Sequence, residues 1–99
     1  MKHIKVYTDA VAEEIEGAKE YAEKYVEAKV GGDMEKASKY KEMANDELKH
    51  AMINHEWAVA EVNKVSKMYE PPAEMLEKWS KAHKEYVEEA AWIKQMLAM

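Results

Sequence analysis

Three side chains able to bind a metal ion occur at helical spacing in the first half of the chain: Glu14, Glu47 and His50. Glu47 and His50 are three residues apart, so on a helix they project side by side. The pair Gly31-Gly32 predicts a turn between two antiparallel helices, and reflection through that turn brings Glu14 to the level of Glu47 and His50. Two carboxylates and an imidazole in an apolar setting repel unless a cation joins them, and this donor set suits iron or manganese better than zinc.

Three helices are predicted to position these residues. Ala, Glu, Lys, Met and Leu dominate the chain, and no alternation typical of a strand is present. Helix 1 is predicted over about 8–30 with Thr8 or the residue after it as N-cap, or from one turn earlier. Helix 2 is predicted over about 33–69, and a proline pair separates it from helix 3, predicted over about 72–97. The fold class is therefore all-α: an antiparallel helical hairpin plus a third helix in a single domain.

Polar side chains lie within the apolar stripes of the first two helices. At 100° per residue, the stripe of helix 1 contains Ala10, Val11, Glu14, Gly17, Ala18, Tyr21, Tyr25 and Ala28. The stripe of helix 2 contains Tyr40, Met43, Glu47, His50, Asn54, Trp57, Ala58, Glu61 and Val65. A buried polar group is a stronger indication of a functional site than the apolar residues around it. A glutamate at the edge of a helix can instead reach solvent, and it then needs no functional explanation.

Composition excludes several function classes. The 99 residues are 47% hydrophobic and 35% charged, which is typical of a folded domain, and a net charge of −5 argues against a nucleic-acid partner. The absence of cysteine excludes thiolate zinc sites, iron–sulfur clusters and cysteine nucleophiles. No apolar run is long enough for a membrane span, and the first residues lack a signal-peptide core. We therefore expect no membrane association and a cytoplasmic location.

Two segments resemble the ferritin-like di-iron carboxylate family. Asp46–Ala51, with the sequence DELKHA, is similar to the motif on that family's second helix. Glu13–Tyr21, with the sequence EEIEGAKEY, is similar to its first-helix motif, in which a tyrosine follows the ligand glutamate by seven residues. The family uses one Glu from each of two helices and a Glu-x-x-His from each of the other two. The resemblance covers about half of the chain and is greatest to the encapsulated ferritins.

The resemblance implies a role for five residues. Glu14 would be a terminal or bridging carboxylate, Glu47 would bridge two metal ions and His50 would be a terminal nitrogen ligand. Asp46 would orient a ligand histidine, as metal-bound imidazoles usually require, and Tyr21 would place a phenol near the metals.

One chain offers only half of the family's site. No second Glu-x-x-His is present, and the positions of helix 3 expected to face Glu47 and His50 hold no carboxylate. We therefore predict that two chains pair about a two-fold axis into a ferritin-like four-helix bundle with two iron ions per dimer, manganese being an alternative. The resemblance implies a ferroxidase or oxidoreductase that uses dioxygen or peroxide. It also implies an encapsulating shell as a partner, although Gln95–Met99 carries no obvious cargo peptide.

Two alternatives stay open. Glu61 and His83 are expected to lie near one another, either as a second metal or proton-relay site or as a hydrogen-bonded core pair. His55 is expected at the surface or at an interface.

The competing function is a non-catalytic helical module that oligomerises through its apolar face. The sequence does not choose among ferroxidase, peroxidase and substrate oxidation.

Overall fold

Three α-helices make up the chain in a computed structural model that describes residues 2–99. They are α1 (Lys2–Val30), α2 (Met34–Met68) and α3 (Ala73–Leu97), and no strand occurs in this range. The all-helical prediction is confirmed. The predicted helix ends agree within two residues except at the start of α1, which begins before Thr8. The Thr8 hydroxyl donates to the Ile4 carbonyl at 2.9 Å, so Thr8 is an interior helical residue and not the predicted cap.

Local chemistry explains both breaks between helices. Gly32 has φ +82°, a left-handed conformation that favours glycine, and its amide donates to the Lys29 carbonyl at 3.1 Å. Asp33 then caps α2 by accepting a hydrogen bond from the Lys36 amide at 3.1 Å. At the second break, Tyr69 is extended and Pro72 directly precedes α3.

The α1–α2 hairpin packs through small residues that recur every seven positions. The buried residues of α2 are Ala37, Ala44, Ala51, Ala58 and Val65. On α1, the same spacing relates Ile4, Val11, Ala18 and Tyr25. Seven-residue repeats keep one seam facing the partner helix, and alanine lets two helices approach closely. The helical wheel missed Ala44 and Ala51 of this seam, and Met43 and Trp57, which it placed on the inward stripe, are 39% and 53% exposed in the single chain.

The alanine seam leaves no room for a larger side chain. We expect Ala44→Leu to destabilise the fold by about 1–3 kcal/mol, because Ala44 is completely buried and added methyl groups would push α1 and α2 apart. Ala60→Leu makes the same change at an exposed position of the same helix and should be near neutral. Urea unfolding followed by circular dichroism measures both variants, and equal stabilities would show that the seam is not tightly packed.

α3 packs against α1 and runs parallel to it. Lys19 of α1 forms an ion pair with Glu89 at 3.7 Å, and Lys29 near the end of α1 hydrogen bonds to the carbonyl of Met99. The buried residues of α3 all lie in its last third: Ala90, Ile93, Met96 and Leu97. The three helices form an elongated molecule of 55 × 17 × 16 Å.

Within residues 2–99, none of the helices combines the length and the apolarity that a membrane crossing would need.

Candidate metal centre

The α1–α2 hairpin brings Glu14, Glu47 and His50 together. Each residue offers one ligand atom, and the three atoms lie within 4.8 Å of one another. Glu14 comes from α1, whereas Glu47 and His50 come from adjacent turns of α2. Nδ1 of His50 lies 3.6 Å from Oε2 of Glu14. These are the three residues that the sequence placed at one level, and among the described residues they form the one such cluster.

The cluster is half-buried and rich in negative charge. The side chain of Glu14 is 28% exposed and that of His50 is 54% exposed, so the cluster opens to solvent on the His50 side. The close approach of Glu14, which can share a proton with Glu47, raises the pKa of Glu47. Partial removal from water and the charge of Glu14 raise this pKa further, while His50 acts in the opposite direction. A bound cation would remove the repulsion that this raised pKa reflects.

Gly17 makes room for the Glu47 carboxylate. A Cβ at Gly17 would lie 3.2 Å from Oε2 of Glu47, which is tighter than ordinary van der Waals contact. Gly17 follows Glu14 by one helical turn, so the gap adjoins the three donor atoms. Sequence analysis placed Gly17 on the inward face but gave it no role. The signal that could have found it is a glycine in mid-helix, which costs about 1 kcal/mol relative to alanine and therefore needs a reason.

Gly17→Ala is expected to separate metal affinity from stability. The added methyl group should displace Glu47 and weaken metal binding, while the better helix former offsets part of that strain. Combining it with Glu47→Ala removes the clash, so the full gain of about 1 kcal/mol should then appear. Chemical unfolding and manganese titration of the single and double variants measure both effects. Unchanged metal affinity in Gly17→Ala would contradict this role.

Tyr21 and Asp46 lie near the cluster without contacting His50. Tyr21 packs on Tyr40, with ring centroids 6.4 Å apart, two turns along α1 from Glu14. Asp46 is exposed, and no hydrogen bond joins it to His50 in the described part of the chain. Its charge contributes to the raised pKa of Glu47.

Glu61 and His83 are not brought together as a pair. Glu61 lines a shallow pocket with Tyr7 and Trp57, whereas Nδ1 of His83 lies 2.9 Å from Nε2 of His55. Reflection across the proline break gives the correct level along α2 to within one turn, but His83 contacts His55, while Glu61 lies on the side of α2 that carries Trp57. His55 is half-buried and not at the free surface.

One side of the hairpin around the cluster is left uncovered, and we call it the open face. It is defined by Ala10, Glu14, Gly17, Met43, Glu47, His50 and Trp57. Met43, His50 and Trp57 recur every seven residues, so they form one row along α2. α3 packs on another side of α1, against residues such as Ala12, Ile15 and Lys19. The cluster is thus flanked by exposed apolar side chains.

Comparison of the chain with protein-family models, with curated proteins and with solved structures finds no match.

Proposed function

We propose that this chain is one half of a ferritin-like two-metal protein, which two copies complete by pairing their open faces. The observation that carries the proposal is the convergence of Glu14, Glu47 and His50, whose donor atoms lie within 4.8 Å on that face. The bound metal would be iron, with manganese as the alternative, and the activity would be that of a ferroxidase or a related oxidoreductase.

The donors present fit such a metal. Two carboxylates and one imidazole are the ligand types that iron and manganese accept, and three protein ligands leave positions free for a second metal, water or substrate. The gap at Gly17 holds Glu47 where it can reach a cation, and crowding by Glu14 makes the cluster unfavourable without one. The fit of a metal therefore rests on the ligand types and on the space at Gly17, and not only on the resemblance of the sequence motif.

Pairing supplies the missing ligands. Two copies would contribute four glutamates and two histidines, which is the ligand set of the ferritin-like site. A two-fold axis through the open face would also cover Met43 and Trp57 of both copies, since a two-fold interface uses the same patch twice. The small residues Ala10 and Gly17 would let the two hairpins approach closely.

The residues of the chain have separate tasks in this proposal. Iron supplies the redox chemistry when bound, giving electrons to an oxidant such as dioxygen or peroxide. Glu14 and Glu47 would balance the positive charge, and a bound cation would relieve the repulsion that raises the pKa of Glu47. His50, the most exposed of the three, offers an imidazole nitrogen at the solvent side, where ferrous iron arrives as substrate. The acidic balance of the chain, −5, favours the approach of cations.

A non-catalytic oligomerisation module is the second candidate function. The exposure of Met43 and Trp57 favours it, because an apolar row on a helix supports self-association without any metal. In that case Glu14, Glu47 and His50 are polar interface groups that hydrogen bond with one another.

Anaerobic titration of the metal-free protein with ferrous iron distinguishes the two functions. Elemental analysis counts iron per chain while light scattering gives the assembled mass. We expect one iron per chain in an assembly with an even number of chains, lost in Glu14→Gln and retained in Glu13→Gln at the exposed neighbouring position. Exposure to oxygen then tests ferroxidase turnover. A well-folded oligomer that binds no iron would leave only the oligomerisation module.

A further inference from the structure

A pair of histidines joins α2 to α3 at a distance from the open face. Nε2 of His55 and Nδ1 of His83 lie 2.9 Å apart, with ring centroids separated by 5.0 Å. The pair lines a cavity of about 370 Å³ between α1 and α3. Neither the motif resemblance nor the proposed two-metal site uses these residues.

We propose that His55 and His83 form a second metal site, which binds an ion that prefers nitrogen ligands, such as Zn²⁺, and thereby bridges α2 and α3. At metal–nitrogen distances of about 2.0–2.1 Å, two ligands of a tetrahedral ion lie about 3.3–3.4 Å apart. The two imidazole nitrogens lie 2.9 Å apart, slightly closer than this, so a small side-chain rotation supplies the separation and the helices need not move. What must change is the ring orientation, because each lone pair has to point at the ion.

One ring of the pair is held in place and the other is free to turn. His55 is half-buried and packs against Tyr86, with centroids 4.4 Å apart, and against Trp79 at 5.8 Å. His83 is exposed, so rotation of its side chain meets little resistance. A fixed first ligand lowers the entropy that is lost when the ion binds.

The surroundings of His55 favour a neutral ring with a free lone pair. Burial and the neighbouring His83 lower the pKa of His55, so this imidazole is neutral under conditions where zinc sites form. In the hydrogen-bonded pair one ring donates its N–H to the other. Metal binding places the ring proton of His55 on Nδ1 and that of His83 on Nε2, so no proton has to be lost.

The surroundings favour a cation. Three carboxylates, Glu16, Glu85 and Glu89, line the cavity beside the pair, against the single ammonium of Lys19. Oε2 of Glu89 is buried and has no hydrogen-bond partner, since Nζ of Lys19 lies 3.7 Å from it. Two imidazoles provide half of a tetrahedral shell, and two waters, or one water and one of these carboxylates, would complete it.

The chemistry of this site differs from that of the open face. The open face offers two carboxylates and one imidazole, which suit iron or manganese, whereas the His55–His83 pair offers nitrogen to zinc-class ions. The bridge would also stabilise the fold, because no residue of α3 before Ala90 is buried and its first half has few other attachments.

Zinc binding measured without the open-face site tests the proposal. The Glu47→Gln variant disables that site, and equilibrium dialysis with Zn²⁺ then counts the remaining ions. We expect one zinc per chain, with an affinity that falls about tenfold or more when His83→Ala is added. His3→Ala, which removes another exposed histidine, should leave the affinity unchanged.

The second readout is thermal unfolding. Zinc should raise the unfolding temperature of Glu47→Gln and not that of Glu47→Gln/His83→Ala, and circular dichroism checks that both are folded. Equal zinc binding with and without His83, or no binding in Glu47→Gln, would overturn the proposal. Neither result bears on iron binding by the wild-type protein, so the two proposals fail separately.

Discussion

Metal-free Glu47→Gln is expected to be more stable than the wild-type protein at neutral pH and to gain no stability from manganese. In the wild type, Glu14 and partial burial raise the pKa of Glu47 above its usual 4.5. The folded state therefore binds this proton more tightly than the unfolded state does. The resulting stabilisation is present below pH 4.5 and is lost as the pH rises through the raised pKa. Glutamine removes the charge permanently, so its advantage over wild type should be absent in acid and should grow toward neutral pH.

Manganese is expected to reverse this order of stability, so that the wild type becomes more stable than Glu47→Gln. An ion that binds only the folded protein stabilises it by about 2.7 kcal/mol at one hundred times its dissociation constant. Glutamine is a poor ligand because it carries no negative charge, so the variant should lose most of this gain. Manganese is the appropriate probe because it tests the site without oxidation chemistry.

Urea unfolding with and without manganese, at several pH values, measures both parts of this prediction. Glu42→Gln, an exposed substitution on the same helix, is the matched control and should behave as the wild type does. Equal stabilisation of the wild type and Glu47→Gln by manganese would show that Glu47 is not a ligand. A less stable Glu47→Gln at neutral pH without metal would show that its charge does not oppose folding.

The helices and the convergence of Glu14, Glu47 and His50 could be predicted from sequence because local signals determine them. A glycine pair and a proline pair mark the two breaks, and constant helical rise fixes which residues of a short hairpin lie level. Glu14, Glu47 and His50 follow from that geometry alone. Pairing of two chains stays a prediction, since it depends on surfaces that a single chain leaves open.

The features that sequence analysis missed depend on side-chain packing. A wheel weighted by large apolar residues favoured Met43 and Trp57, but close approach of two helices requires the small side chains of the seam, such as Ala44 and Ala51. His83 was assigned to Glu61 by reflection, which gives the level of a residue along the neighbouring helix but not the side of that helix that it contacts. His83 contacts His55 instead, because α3 also packs on α1 and meets α2 on the side that faces the cavity between α1 and α3.

Met43→Glu is expected to dissociate the assembly and to weaken metal binding at the same time. Met43 is 39% exposed in the single chain, so the substitution leaves the hairpin core intact and helicity by circular dichroism should not change. At a two-fold interface the new charge appears twice, and both copies lose water around an unpaired carboxylate. If the ligands come from two chains, metal affinity falls when the assembly dissociates. If one chain forms the whole site, the affinity is unchanged, because a single chain keeps all three of its donors.

The matched control for this prediction is Val87→Glu, which adds the same charge to α3 at a position that is 50% exposed and outside the open face. Light scattering and manganese titration of both variants over a range of protein concentrations separate the possible arrangements. In the proposed arrangement, Met43→Glu regains metal affinity at high concentration as pairing is restored, and Val87→Glu behaves as the wild type. Monomeric Met43→Glu with unchanged affinity would instead mean that Glu14, Glu47 and His50 of one chain form the whole site, and pairing would then serve only to cover the open face.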